Sequence, residues 1–178
     1  MSRHRGAKGR RQAEVTPVSV AYHEAGHVVA YLSNGVRVLS ASIKEGSVQK
    51  YGAYEGYTKT ELDIDISIRN LAIIAMAGPV ADCVMVGASE DMLKESAEND
   101  YVVAETLIST LTLSSDDTST IINDRIISET FEFVKSHCTE IETFAEALLS
   151  EGTLDEGRIM EIWGCVHSDV LCKPQIFG

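Results

Sequence analysis

At 178 residues, 44% hydrophobic and 24% charged, the chain has the length and composition of one globular domain with a full core, and no repeat or low-complexity tract interrupts it. Its formal charge of −12 is unevenly spread: Arg3, Arg5, Lys8, Arg10 and Arg11 crowd the first twelve residues without an acid, so the remainder is more acidic still. Such a body repels nucleic acid and anionic membranes, which argues against both as partners.

The same composition sets expectations for compartment and boundaries. The N-terminus lacks the apolar core of a secretory signal, so Cys83, Cys138, Cys165 and Cys172 are expected as reduced thiols in a cytoplasmic setting rather than as a disulfide framework. The longest apolar run, residues 71–81, is short for a bilayer and carries Gly78-Pro79, so no membrane insertion is expected. Residues 1–15 read as a basic, disordered tail ahead of a single domain at 16–178.

The first predicted element is a helix. Thr16 is a capping residue, Pro17 suits the first helical position, and Asn34-Gly35 offers a left-handed stop. Between them Val18, Ala21, Ala25, Val28, Val29 and Leu32 recur at helical spacing, and Gly26 would let another backbone come close. This helix carries His23-Glu24-Ala25-Gly26-His27. Residues four apart stand on nearly one face, about one turn from each other, so two imidazoles can grip one metal ion. Glu24 projects beside that face, where it can meet a water without being a ligand, as a general base must.

Residues 36–44 alternate and predict a strand, with the Leu39, Ala41, Ile43 face buried; residues 51–58 predict a second strand after a turn near Gly46, its glycines marking an edge. A small antiparallel sheet beside the first helix is the consequence. From Thr60 onward the chain reads as helical. Thr60 with Asp63 suggests a cap for a helix through Leu62, Ile66, Ile68, Leu71, Ile74 and Ala75, which Pro79 should break or kink before a restart that ends near Gly87. Further helices are predicted over about 97–113, with Tyr101, Ala104, Leu107, Ile108 and Leu111 inward, about 120–136, about 139–150 opened by a Thr139/Glu142 capping box and closed at Gly152, and about 155–163.

A catalytic zinc takes three protein ligands and keeps one position open. His4 lies in the tail, and His137 and His167 sit at expected helix ends, where surface or cap roles are the simpler reading. Asp82, Glu98 and Asp100 remain as carboxylate candidates, in or near apolar helices where an acid needs a partner. Cys165-x-His167 with Cys172 fits no standard finger spacing and lacks a fourth ligand.

Four blocks in order resemble the peptidase domain of the FtsH-type AAA+ zinc metalloproteases. They are residues 21–27 with the HExxH stretch, residues 75–87 with Gly78-Pro79, residues 96–100 with Asn99-Asp100, and residues 145–155 with Thr153-Leu154-Asp155. The resemblance implies a mainly α, α+β zincin-like peptidase fold, Zn2+ as cofactor, and His23, His27 and Asp100 as ligands with Glu24 as catalytic base. It also implies a possible homo-oligomer, a hexamer in that family. The chain departs from the family at Pro79, where the family has arginine, and in having no G-x-x-x-x-G-K-[ST] phosphate loop.

The expected activity is therefore hydrolysis of peptide bonds in unfolded or extended polypeptide, independent of ATP in the chain itself, with a separate AAA+ ATPase as the possible source of unfolded substrate. Extended substrate would pair with a sheet edge beside the HExxH helix. The competing expectation is a catalytically silent binding or regulatory subunit. A silent protein has no need of His23, Glu24, His27 and Asp100 together, because a buried acid and paired imidazoles are costly without a metal.

Overall fold

The computed structural model describes residues 16–45, 54–61, 65–88 and 97–171. They form six α-helices and one three-stranded antiparallel sheet, so the protein is mainly helical. Helix α1 (Pro17–Ser33) runs into strands β1 (Arg37–Glu45) and β2 (Tyr54–Glu61); helix α2 (Ile68–Ala81) follows and passes directly into a π-helical turn, Asp82–Val86. Then come α3 (Glu98–Leu113), α4 (Ser119–Ser136), α5 (Cys138–Glu151), the short strand β3 (Thr153–Asp155) and α6 (Glu156–Leu171). The basic tail and Cys172 lie outside the described residues, as do residues 51–53 of the expected second strand.

Helix α1 begins and ends as its sequence dictates. The Thr16 hydroxyl accepts from Ser19 N–H while the Ser19 hydroxyl accepts from Thr16 N–H, a reciprocal capping box with Pro17 just inside it. Gly35 takes φ 74° past the C-cap, a left-handed conformation that closes the helix. Val18 is exposed rather than part of the buried stripe, but Ala21, Ala25, Val28 and Val29 are fully buried. The close approach expected at Gly26 is to α2: a Cβ there would stand 2.6 Å from the Ala77 carbonyl oxygen and 2.9 Å from the Ala81 Cβ.

The sheet order is β2-β1-β3, with β1 in the centre. The expected burial of Leu39, Ala41 and Ile43 holds only for Ala41. Val36 and Val38 are buried instead, then Ala41 and Ser42, while Leu39 and Ile43 are half-buried. A register shift between Val38 and Ser40 is the cause, since an extra residue in one strand changes which face the following side chains point to. Buried Ser42 is satisfied by the Gly152 carbonyl and the Thr153 hydroxyl. Gly152, at φ 72°, lets α5 stop and the chain turn into β3, an element the sequence did not predict.

The start of α2 also differs from expectation. Thr60 pairs with Val38 in the β2–β1 ladder and caps nothing; the N-cap is Ser67, whose side chain accepts from Asn70 N–H. Thr60 is β-branched, and its residue type favours the pleated ladder over a helix start. Pro79 does not break the helix. It sits one turn from the C-terminus, so its missing N–H removes a single intrahelical bond, and the helix departs from α geometry only at Asp82. There the chain widens to the π-turn, which Gly87 closes at φ 74°. The stretch 68–86, 19 residues with mean hydropathy 1.4, is long and apolar enough by length and composition to cross a bilayer, yet half of its window is buried inside the fold. It is the central core helix among the described residues.

Helix α3 matches its predicted span and buries the predicted Ala104 and Ile108, with Tyr101, Leu107 and Leu111 packed against them. The expected Thr139/Glu142 capping box does not form: His137 occupies the N-cap of α5, so Thr139 is already inside the first turn. Two main apolar clusters result. One joins α1, β1, α5, β3 and α6 through Val28, Val38, Phe144, Leu148, Leu154 and Ile159. The other joins α2, α3 and α4 through Ala72, Met76, Ala104, Ile108, Ile122 and Ile126.

Candidate metal centre

The site forms where the two clusters meet. Because Gly26 lets α1 and α2 approach closely, the histidine face of α1 lies against the last turns of α2, and the first turn of α3 comes up to the same point. His23 and His27 present Nε2 atoms 3.2 Å apart. Asp100 Oδ2 stands 3.0 Å from His23 Nε2, and Asp100 Oδ1 3.5 Å from His27 Nε2. The ligand atoms of these three residues all lie within 4.8 Å of one another, so His23, His27 and Asp100 form a group that could hold a metal ion.

The other ring nitrogens each face an outer partner. His27 Nδ1–H donates to the Ile74 carbonyl at 3.0 Å, and His23 Nδ1 lies 2.9 Å from Asp82 Oδ2. Neutral His27 therefore turns its Nε2 lone pair inward, and neutral His23 does so when its proton stays on Nδ1 toward Asp82, the orientation that outer partners give metal-bound histidines. Two lone pairs and a carboxylate converging at these separations require positive charge between them, supplied by a proton on an imidazole or by a metal ion. Burial disfavours charge on His23, but hydrogen bonds to Asp100 and Asp82 and the charges of Asp82 and Glu24 outweigh it and hold the imidazole pKa up to about 10. For Asp100, burial acts to raise the carboxyl pKa, and the bonds to and charges of His23 and His27 carry it well below the usual carboxylate range.

The residues present fit a tetrahedral ion. Two bonds of about 2.0–2.1 Å at a tetrahedral angle span about 3.3–3.4 Å between ligand atoms, and the inward nitrogens are 3.2 Å apart. Gly78 provides a second test. A Cβ at that position would stand 2.4 Å from His27 Nε2 and 2.8 Å from His23 Nε2, so glycine leaves open the space in front of both nitrogens. Asp82 provides a third: its Oδ1 is buried without a hydrogen-bond partner, and an unpaired carboxylate oxygen behind a histidine is stabilised when the imidazole it holds bears positive charge or a cation.

Of the carboxylates left open by the sequence, Asp100 is the one that reaches both inward nitrogens, Asp82 lies behind His23, and Glu98 is exposed at the start of α3 outside the group. Glu24 is 6% exposed, and its Oε2 accepts from the Thr58 hydroxyl at 2.6 Å. His137 and His167 bond the carbonyls of Phe133 and Trp163 and lie against those rings, stacked in the first pair and tilted in the second, outside the group. Tyr31, one turn beyond His27, feels the same acidic field: burial, with the charges of Asp100 and Glu24, raises its phenol pKa against a hydrogen bond from Thr60.

Sequence reasoning missed Thr58, Gly56 and the task of Gly78. The first two stand two apart in the second strand, a visible pattern, but only the register shows that their shared face lies on Glu24. Gly78 is visible in sequence as an interruption of an apolar run and as part of the second block of the resemblance, but neither shows that it faces the histidines. No model of a known protein family matches the chain, and a comparison with curated proteins finds no match.

Proposed function

We propose that the chain is a zinc-dependent endopeptidase, similar to the peptidase domain of the FtsH-type metalloproteases, that hydrolyses peptide bonds in unstructured polypeptide. The observation that carries this reading is the convergence of His23, His27 and Asp100 beside the buried carboxylate of Glu24. Two imidazoles and one carboxylate suit zinc, and three protein ligands leave a position for chemistry. A zinc ion held there would act as a Lewis acid toward the scissile carbonyl and bring the pKa of water close to 7.

The chain's own groups supply the rest. Asp82 and Ile74 keep both imidazoles turned inward. Glu24 takes the proton of the attacking water and returns it to the leaving amine, the work of a general base and then acid. Strand β2 is an outer strand of the described sheet and packs on α1 next to Glu24, so an extended segment added along it would lie beside the reacting groups. Such pairing needs a backbone free of its own hydrogen bonds. Substrates are thus unfolded segments, or are delivered by a separate AAA+ ATPase, and a homo-oligomeric ring follows from the same resemblance.

Metal content of the purified protein measured together with casein cleavage tests the proposal. Stoichiometric zinc and cleavage that disappears in Glu24→Gln support it. Zinc with no Glu24-dependent cleavage would favour a silent binding subunit instead.

A further inference from the structure

Glu24 is a buried acid whose carboxylate must point one way to work, and the feature that aims it lies on β2 rather than on its own helix. Residues two apart in a strand share a face, and Gly56 and Thr58 face α1. The Thr58 hydroxyl donates to Glu24 Oε2 at 2.6 Å. At Gly56 a Cβ would stand 2.4 Å from Glu24 Oε1, 2.6 Å from Glu24 Cγ and 2.7 Å from Val20 Cγ1. One residue of the strand holds one carboxylate oxygen, and the other makes room for the second.

We propose that Thr58 is a positioning residue for the Glu24 carboxylate, fixing Oε2 so that Oε1, in the space left by Gly56, is the oxygen that handles the proton. The inference rests on the peptidase reading of the site and adds to it that the strand expected to receive substrate also sets the base. A hydroxyl whose proton is committed to a carboxylate cannot rotate away without leaving a buried charge short of a partner. The orientation is therefore held before substrate arrives, which is the condition under which a positioned group lowers a barrier.

The test uses the zinc-loaded full chain and an unstructured peptide, with wild type, Glu24→Gln, Thr58→Val and Thr58→Ser compared for kcat, KM and bound zinc. Thr58→Val is expected to lower kcat about 10- to 100-fold, the scale of a misaimed catalytic group, with KM and zinc content unchanged, and Thr58→Ser to restore most of the rate. Thr58→Ala, which removes the hydroxyl without adding volume, gives the same measurement if Thr58→Val does not fold. A kcat unaffected by loss of the hydroxyl, a change confined to KM, or a failure of serine to rescue would overturn the proposal while leaving Glu24-dependent cleavage in place. Absence of Glu24-dependent cleavage in the wild type would instead remove the peptidase reading, and Thr58's role with it.

Discussion

The two sides of the molecule that meet at the candidate metal centre are built differently. On the side of α1, the sheet, α5 and α6, large side chains are completely enclosed: Phe144, Ile141, Leu148, Leu154, Ile159, Val28 and Val29. On the side of α3 and α4 the cluster is made from Ala72, Ala75, Ala104, Met76 and a few isoleucines, and α3 buries only Ala104 and Ile108 within its sixteen residues. The contrast assigns different physical supports to the site residues. His23, Glu24 and His27 ride on a helix with nine buried positions, whereas Asp100 is brought in by a helix whose apolar anchorage is thin. Its polar anchorage is correspondingly important. Through Asp100 the site is part of what holds α3 in place.

The largest expected effect isolates the firm side. Glu24→Gln keeps the side chain's shape and an acceptor oxygen for Thr58 but removes the proposed base, so on the peptidase reading cleavage should fall by about 10²- to 10⁴-fold, the usual contribution of general base catalysis. Thermal unfolding and zinc content should stay near wild type. A variant with near-normal turnover would show that Glu24 is not the base.

Asp100→Ala strikes the thin side. It leaves two protein ligands, and zinc affinity should drop by more than the roughly 10- to 100-fold typical of losing an outer partner; Asp82→Asn is expected inside that range. Hydrogen exchange sharpens the comparison. In Asp100→Ala, amide protection should fall along α3 and remain in α1, because local opening follows local anchorage. Equal loss of protection in both helices would mean that α3 is not the weakly held element.

Core truncations probe the same asymmetry without touching the site. Phe144→Ala should cost about 3–5 kcal/mol, since a fully enclosed ring leaves a cavity that its neighbours cannot fill. Ile108→Ala should cost nearer the lower end of the about 2–5 kcal/mol range, because α3 lies at the surface and can settle inward. Denaturant melts of the two variants decide it. A larger loss at Ile108 would reverse the description of the two sides.

The firm side was also the more legible in sequence. Thr16, Pro17, the HExxH spacing and Gly35 are local signals, and local signals fix α1, its ends and the face on which both histidines stand. Helix α3 was equally readable as a helix, since Ala104 and Ile108 follow its period. What could not be read was how elements are brought together. Position and residue type left Asp82, Glu98 and Asp100 open as acids near apolar helices, and only the resemblance of Asn99-Asp100 singled out Asp100; their different fates depend on the π-turn after α2 and on the angle at which α3 arrives. Strand β1 shows the same limit on a smaller scale: one bulge after Val38 changes the buried set, and alternation alone carries no sign of it. Thr60 reads as a helix cap from its spacing to Asp63, while its actual ladder partner, Val38, is distant in sequence and leaves no local sign.

The smallest effect concerns the end of α1. The Thr16 side chain and Ser19 satisfy two backbone donors at the start of the helix, and Thr16→Ala should cost about 1 kcal/mol, as for other N-cap deletions. The cap lies nearly two turns before His23, and between them Val20 and Ala21 are already buried. If burial rather than capping holds the histidine face in register, the lost stability should appear as fraying confined to residues 16–19, with zinc affinity and the exchange protection of residues 23–27 unchanged. Loss of zinc affinity in Thr16→Ala, at a stability cost this small, would show that the firmness of α1 is propagated from its end and not supplied by the core beneath it.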